Sequence, residues 1–278
     1  MITIRLAGVN VGIKNTYDLT PRLAGWITDA APDFTVELGP YELKKEDPRF
    51  SPDYVEFICV YRRIAERIPA WDAFVCHGTV VAMDGRAYIF TAPSGTGKTT
   101  HTQLWLKRFG DRAWILSGDK PILRRTERGF LACGTPWRGK ENYGVNAELP
   151  VQGICLLDRG ETNEIAPATP ADMLRFLSRQ VYYPRQADRM EKLLELLDAF
   201  CSTVPTWTMR CNMDIEAAEV AYEAMRPREE NSKCKMQNGT GDARQQATGN
   251  RPARSGAQCA PRHSPHRRAM QNVSRFHS

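Results

Sequence analysis

Residues 92 to 99 read Ala-Pro-Ser-Gly-Thr-Gly-Lys-Thr, a spacing that sets converging backbone amides, one lysine and a hydroxyl around a single point. Gly95 and Gly97 free the backbone so that N–H groups can meet phosphate oxygens, and a helix starting just after them adds positive potential. Lys98 would reach the β- and γ-phosphates of a nucleoside triphosphate, and Thr99 would offer its hydroxyl to Mg²⁺. Ala92, Pro93, Ser94, Thr96 and Thr100 complete the expected cradle. Ala92 stands where the stricter pattern has glycine, a relaxation that keeps the tight turn.

Such a loop acts on phosphate only between a strand and a helix, and both are expected here. Ala87 to Thr91 is apolar and β-prone, and Thr99 to Phe109 has helical character. Thr79 to Met83 and Arg86 to Thr91 flank Asp84-Gly85, a two-residue hairpin signal, and that register puts His77 opposite Ala92 at the mouth of the loop. His77 is either a site residue or a satisfied structural histidine. Ala113 to Leu116 is a second apolar strand, ending in Ser117-Gly118-Asp119, with Asp119 lying 21 residues after Lys98. A right-handed crossover would make this strand parallel to the loop strand and bring Asp119 to the phosphates. There it would hold Mg²⁺, directly or through water, or take a proton from a nucleophile; the alternative is an aspartate that opens the turn before Pro121. Arg138 or Lys140, in the glycine-punctuated stretch Gly134 to Lys140, would clamp a phosphate or a substrate carboxylate, unless the stretch is a surface loop whose Trp137 rests on the core. Trp26, Trp71, Trp105, Trp114 and Trp207 read as core residues.

The 278 residues are 42% hydrophobic and 25% charged, enough to bury a sizeable core. No run of eighteen apolar residues occurs, so neither membrane insertion nor secretion is expected. The eight cysteines form no C-x-x-C pair and several sit in apolar runs, which favours reduced thiols and the cytoplasm. The net charge of +6 is local: residues 227 to 278 hold ten Lys/Arg against three Asp/Glu, leaving 28 against 29 before them. Specific nucleic-acid binding is therefore not expected.

The chain divides into three regions: a strand-rich N-terminal segment over 1–50, a nucleotide-binding domain over 51–226 and a disordered basic tail over 227–278. Apolar spacing predicts a helix from Asp53 to Pro69. Further on it predicts a strand over Gly153–Leu157, a helix from Thr169 to Gln180, another from Met190 to Phe200, a strand over Thr206–Met209, and a last helix from Asp214 to Met225 capped by Asp214. Strands and helices alternate, so the class is α/β with a mixed sheet and flanking helices.

His77-Gly78 before a hairpin, Ser94 to Thr99 and Asp119 together resemble the HPr kinase/phosphorylase family, whose phosphate-binding fold is shared with ATP-dependent phosphoenolpyruvate carboxykinases. The match covers residues 76 to 121. It implies catalytic roles for His77, Lys98 and Asp119 and a magnesium role for Thr99, with ATP and Mg²⁺ as cofactors. Where that family usually carries adjacent aspartates this chain has Gly118-Asp119-Lys120, and the family's C-terminal Gly-rich signature is missing. The chain is more similar to HPr-kinase-like proteins of modified-peptide pathways, which implies phosphoryl transfer to a Ser/Thr hydroxyl of a peptide or small protein. The rivals are a carboxykinase-like enzyme, which would need a second substantial domain, and a nucleotide-sensing module without turnover. A GTPase switch would need an Asn/Thr-Lys-x-Asp motif, which is absent. Self-association and the choice among ATP, GTP and pyrophosphate stay open.

Overall fold

Ala7 and Gly8, with φ of 49° and 77°, turn β1 (Ile2–Leu6) back onto β2 (Val9–Lys14), and β3 (Phe34–Glu37) adds to β2 in parallel. The computed structural model describes residues 1–39 and 49–227, all within one compact unit. A short helix α1 (Thr20–Leu23) leads out of β2, and α2 (Pro52–Arg67) carries the helical apolar spacing expected of it. The N-terminal strands do not bury their face alone: Ile4, Val11, Ile13 and Trp26 share a core with Phe57, Val60 and Ile64 of α2 and with Ile122 and Trp137. Glu56, 1% exposed, secures the junction by accepting from the backbone N–H of Thr16 (2.6 Å) and of Tyr17 (2.8 Å). A buried carboxylate needs such donors.

The larger sheet holds β4 (Ala73–Val75), β5 (Thr79–Met83), β6 (Arg86–Thr91), β7 (Ala113–Ser117), β8 (Ile122–Thr126), β9 (Gly129–Cys133), β10 (Glu148–Arg159), β11 (Glu164–Pro167) and β12 (Thr206–Cys211). Its order is β4-β8-β9-β10-β6-β5-β7, with β12 also on β10 and β11 on β12. Asp84 and Gly85, φ 51° and 72°, make the hairpin between β5 and β6, with Thr79 opposite Phe90 and Met83 opposite Arg86. Two positive φ angles are what a tight hairpin between twisted strands needs. Helix α3 (Lys98–Phe109) carries the chain from β6 over β5 to β7. Because β5 is antiparallel to both, β6 and β7 run parallel, as the crossover rule requires.

Alternate residues of the hairpin face opposite layers. Val81, Met83, Tyr88 and Phe90 pack against Leu104 and Trp105 of α3 and Ala217, Ala218 and Ala221 of α6 (Glu216–Met225). Val80, Ala82 and Ile89 pack against α4 (Pro170–Leu177) and α5 (Ala187–Thr203) through Met173, Leu177, Leu193 and Phe200. The result is a mixed α/β architecture with helices on both faces. Thr169 caps α4, accepting from the N–H of Asp172 at 3.1 Å. At α6 the expected cap is corrected: Ile215, not Asp214, is the N-cap and makes no side-chain bond, because Asn212 engages Asp214 in the preceding turn at 2.7 Å. Trp114 is also corrected, being 37% exposed: it lies on an edge strand and alternates outward between buried Ala113 and Ile115. Trp26 and Trp105 are fully buried and Trp71 and Trp207 partly so. Cys76, Cys133, Cys155 and Cys201 are buried free thiols, Cys211 is a half-buried one, and Cys59 is buried as well. No described helix is long and apolar enough to cross a membrane. Cys234, Cys259 and the expected tail beyond Pro227 lie outside the described residues.

Candidate functional site

Four strand ends meet on one edge of the sheet. The topology places there the C-terminal ends of β6, β7 and β10 and the N-terminal end of β5, because β10 is parallel to β6 and β5 antiparallel to it. Loop 92–97 leaves β6 at this edge. Gly95 and Gly97 have φ of 80° and 119°, where L side chains are strained, and a Cβ on either would meet nothing within 4 Å. Both glycines therefore stand in open space at the first turn of α3 rather than in a packed corner. Pro93, Ser94 and Thr100 are exposed, while Thr96, Lys98 and Thr99 are half-buried. The Lys98 ammonium folds back on its own loop, donating to the carbonyls of Ala92 (2.9 Å) and Pro93 (3.4 Å). Burial holds its pKa below the usual lysine value, with the charge of Lys120 acting in the same direction and that of Asp119 against it.

His77, just before β5, is held from several sides. Its backbone N–H donates to the Gln180 carbonyl (2.7 Å) and its carbonyl accepts from Thr91 Oγ1 (2.9 Å). Its ring Nδ1 lies 3.0 Å from Gln180 Oε1 and its Nε2 3.3 Å from Asp119 Oδ1. Gly78 N–H donates to the Asp119 carbonyl at 3.0 Å, and Lys120 Nζ lies 3.4 Å from Asp119 Oδ1. Burial alone would raise the Asp119 pKa, but the hydrogen bond from His77 and the charge of Lys120 outweigh it and hold the carboxyl below its ordinary range. At neutral pH Asp119 is thus a carboxylate, an acceptor or metal ligand and not an acid.

On the far side of Asp119 opens a cavity of about 640 Å³ lined by Asp119, Lys120, Arg138, Tyr61, Trp137 and Arg22, among others. Arg138 stands in this cleft, its guanidinium 5.0 Å over the Trp26 ring and 3.3 Å from Asn142 Oδ1. None of residues 92 to 99 lines the cavity. Trp137 is buried, donating from Nε1 to the Phe57 carbonyl at 3.0 Å, so the stretch around Arg138 rests on the core while Arg138 itself faces the cleft. Gly139, with φ 72°, lies so close to Asp119 that a Cβ there would sit 3.1 Å from the Asp119 Cβ.

The loop suits a polyphosphate in kind: two glycines at positive φ in open space, a lysine on the loop and a helix start beyond them. Among the described residues no group of three or more His, Cys, Asp or Glu is placed to hold a metal by itself. Mg²⁺ does not demand one, since it commonly takes one or two protein oxygens and completes its shell with phosphate and water. Thr99 and Asp119 are chemically apt for that share.

Two residues at this edge escaped sequence reasoning. Gln180 carries no local signal, being a turn residue after α4 that meets His77 across 103 positions. Arg159 was traceable: it ends the strand beside the loop strand, with Leu156 in register with Thr91, and donates to the Gly95 carbonyl at 2.7 Å and the Thr96 carbonyl at 3.5 Å. Neither a family model nor a curated protein sequence matches the chain. Among solved structures it is similar to the HPr(Ser) kinase/phosphatase from Coxiella burnetii, with 12% sequence identity, a TM-score of 0.27, and coverage of 44% of this chain and 86% of that one. A likeness that slight leaves function to be argued from the geometry of the loop, Asp119 and the cleft.

Proposed function

We propose that the chain binds ATP with Mg²⁺ at residues 92–99 and transfers the γ-phosphoryl group to a Ser/Thr hydroxyl of a peptide or small protein. The observation that carries this is the position of Asp119, which follows the strand parallel to the loop strand, lies 3.3 Å from His77 and lines the 640 Å³ cleft. A phosphoryl donor in the loop and an acceptor in the cleft would then meet at one carboxylate. The loop amides and Lys98 would bind the phosphates, with Ala92, Pro93, Ser94, Thr96 and Thr100 forming the rest of the cradle. Asp119, ionised and bonded to His77, would orient the acceptor hydroxyl and receive its proton, or hold the metal. Bound Mg²⁺, for which Thr99 and Asp119 are the candidate ligands, supplies charge neutralisation on the transferring group. Arg138 would engage the acceptor from across the cleft. The buried free thiols suit a reducing compartment, in keeping with a cytoplasmic enzyme.

One observation favours a second reading. His77 and Lys120 both engage the single carboxylate, which suits a module that binds nucleotide without turning it over.

Single-turnover transfer from labelled ATP to serine- and threonine-containing peptides, run beside nucleotide calorimetry, separates the two. Asp119→Asn should lower transfer by at least ~10²-fold, the usual scale for losing a proton acceptor or metal ligand. His77→Ala should cost less, and both variants should still bind ATP. Wild-type transfer rates in Asp119→Asn would sink the site assignment; ATP binding with no transfer by the wild type selects the sensor.

A further inference from the structure

We infer that Arg159 is a positioning residue for phosphate binding: from outside the loop it holds the carbonyls of Gly95 and Thr96, and so presents the amides that come after them to the phosphates. This deepens the proposal above and rests on residues 92–99 being a phosphate site.

A peptide unit is planar and trans, so its C=O and the next residue's N–H point in opposite directions. Arg159 Nη2 on the Gly95 carbonyl (2.7 Å) therefore turns the Thr96 N–H away from Arg159, and Nε near the Thr96 carbonyl (3.5 Å) does the same to the Gly97 N–H. Something must set these planes. Gly95 and Gly97 sit at positive φ with open space where a Cβ would be, so neither side-chain sterics nor packing fixes their rotation. The Thr96 N–H donates to the Pro93 carbonyl at 3.3 Å, a bond that phosphate would have to exchange, whereas Arg159 holds the same peptide from its carbonyl end at 2.7 Å. A guanidinium can span adjacent carbonyls because its donors lie in a rigid plane, whereas an ammonium offers a single point.

Arg159 can do this because of the sheet. Leu156 is in register with Thr91 on parallel strands, so β10 outruns β6 by three residues along the flank of the loop. Lys98 also binds loop carbonyls, but in a different way. Its bonds to Ala92 and Pro93 occupy the very ammonium that phosphate would claim, and they must be exchanged on binding. The Arg159 bonds lie on the opposite side of the peptide planes and persist. Arg159 is exposed, so its removal leaves no buried hole.

The test compares wild type, Arg159→Ala, Arg159→Lys and Lys98→Ala as full chains. Calorimetry is run with pyrophosphate and with ATP plus Mg²⁺, and ¹⁵N–¹H spectra and amide exchange of residues 95–98 are recorded without ligand. Arg159→Ala should melt as the wild type does, bind pyrophosphate and ATP both about tenfold more weakly, the worth of a charge-assisted hydrogen bond, and show shifted, faster-exchanging Thr96 and Gly97 amides. Arg159→Lys should recover only part of the affinity. If Lys98→Ala weakens binding and Arg159→Ala binds as the wild type does, the inference fails while the phosphate site stands. Weakened binding with loop amides unchanged in the free protein would make Arg159 a direct phosphate ligand and also overturn it. If the wild type binds neither pyrophosphate nor ATP, the phosphate site itself falls, and Arg159 with it.

Discussion

Helix α3 should come loose from the sheet in acid, because a neutral histidine pins it. His101, in the first turn of α3 after Lys98, is 2% exposed; its Nε2 accepts from Trp105 Nε1 at 3.2 Å and its ring lies 4.6 Å from that of Phe90. With Nε2 accepting, the neutral ring carries its proton on Nδ1, which has no hydrogen-bond partner among the described residues. Burial pushes the pKa of His101 down from 6.5 to about 4. The folded chain therefore refuses a proton that the unfolded chain accepts. Its contribution to stability is complete above pH 6.5 and is lost as pH falls toward 4. At about 1.4 kcal/mol per pKa unit the loss comes to roughly 3 kcal/mol, or roughly 6–12 °C of melting temperature for a domain of this size. His101→Gln keeps an acceptor for Trp105 without a titrating ring. Melts of both proteins from pH 7.5 to 4 should show the wild type falling faster by that amount, and loop amides should lose protection in parallel. Equal slopes would mean that His101 is not buried neutral and would remove the pinning of α3.

Lys98→Ala should keep the fold and weaken ATP binding by about 1.5–3 kcal/mol, roughly 10- to 150-fold, since it removes a charged donor to phosphate and leaves one buried carbonyl, that of Ala92, to find water. Calorimetry at fixed Mg²⁺ measures this, and unchanged affinity in a folded variant would refute the loop assignment. Gly139→Ala adds a Cβ 3.1 Å from that of Asp119 at φ 72°. It should cost about 1–2 kcal/mol in a denaturant melt and lower phosphoryl transfer more than it lowers ATP affinity. Ending the chain at Pro227 should change neither melting temperature nor ATP affinity, because the composition beyond it offers no apolar period; a fall of several degrees would show that the segment packs.

The hairpin and the crossover were legible because each rests on local chemistry: Asp84-Gly85 sets a register, and a strand, a glycine loop and a helix of fixed length return the chain in parallel. That register and that crossover bring His77 and Asp119 within 3.3 Å. Where packing decided the outcome, spacing was mute. β8 and β9 are short, and the Arg124-Arg125-Thr126 end of β8 looks like loop until β4, β9 and β10 supply partners. Trp114 reads as buried because strand propensity does not say which strand becomes an edge. Gln180 and the cleft beyond Asp119 are built from α2, the N-terminal segment and the turn after α4, which no local pattern connects.

Strand β10 also dictates the order in which the molecule can be made. Its residues Ile154 to Arg159 are paired on one side with β12, whose last residue, Cys211, leaves the ribosome 52 residues after Arg159. At about 5–20 residues per second that edge stands open for roughly 3–10 seconds, apolar and unpaired, beside others like it on the same message. Fragments ending before Cys211 leave it open for good. An open apolar edge of that kind is a template for aggregation, so the last strand among the described residues serves as much to close an adhesive edge as to extend a sheet.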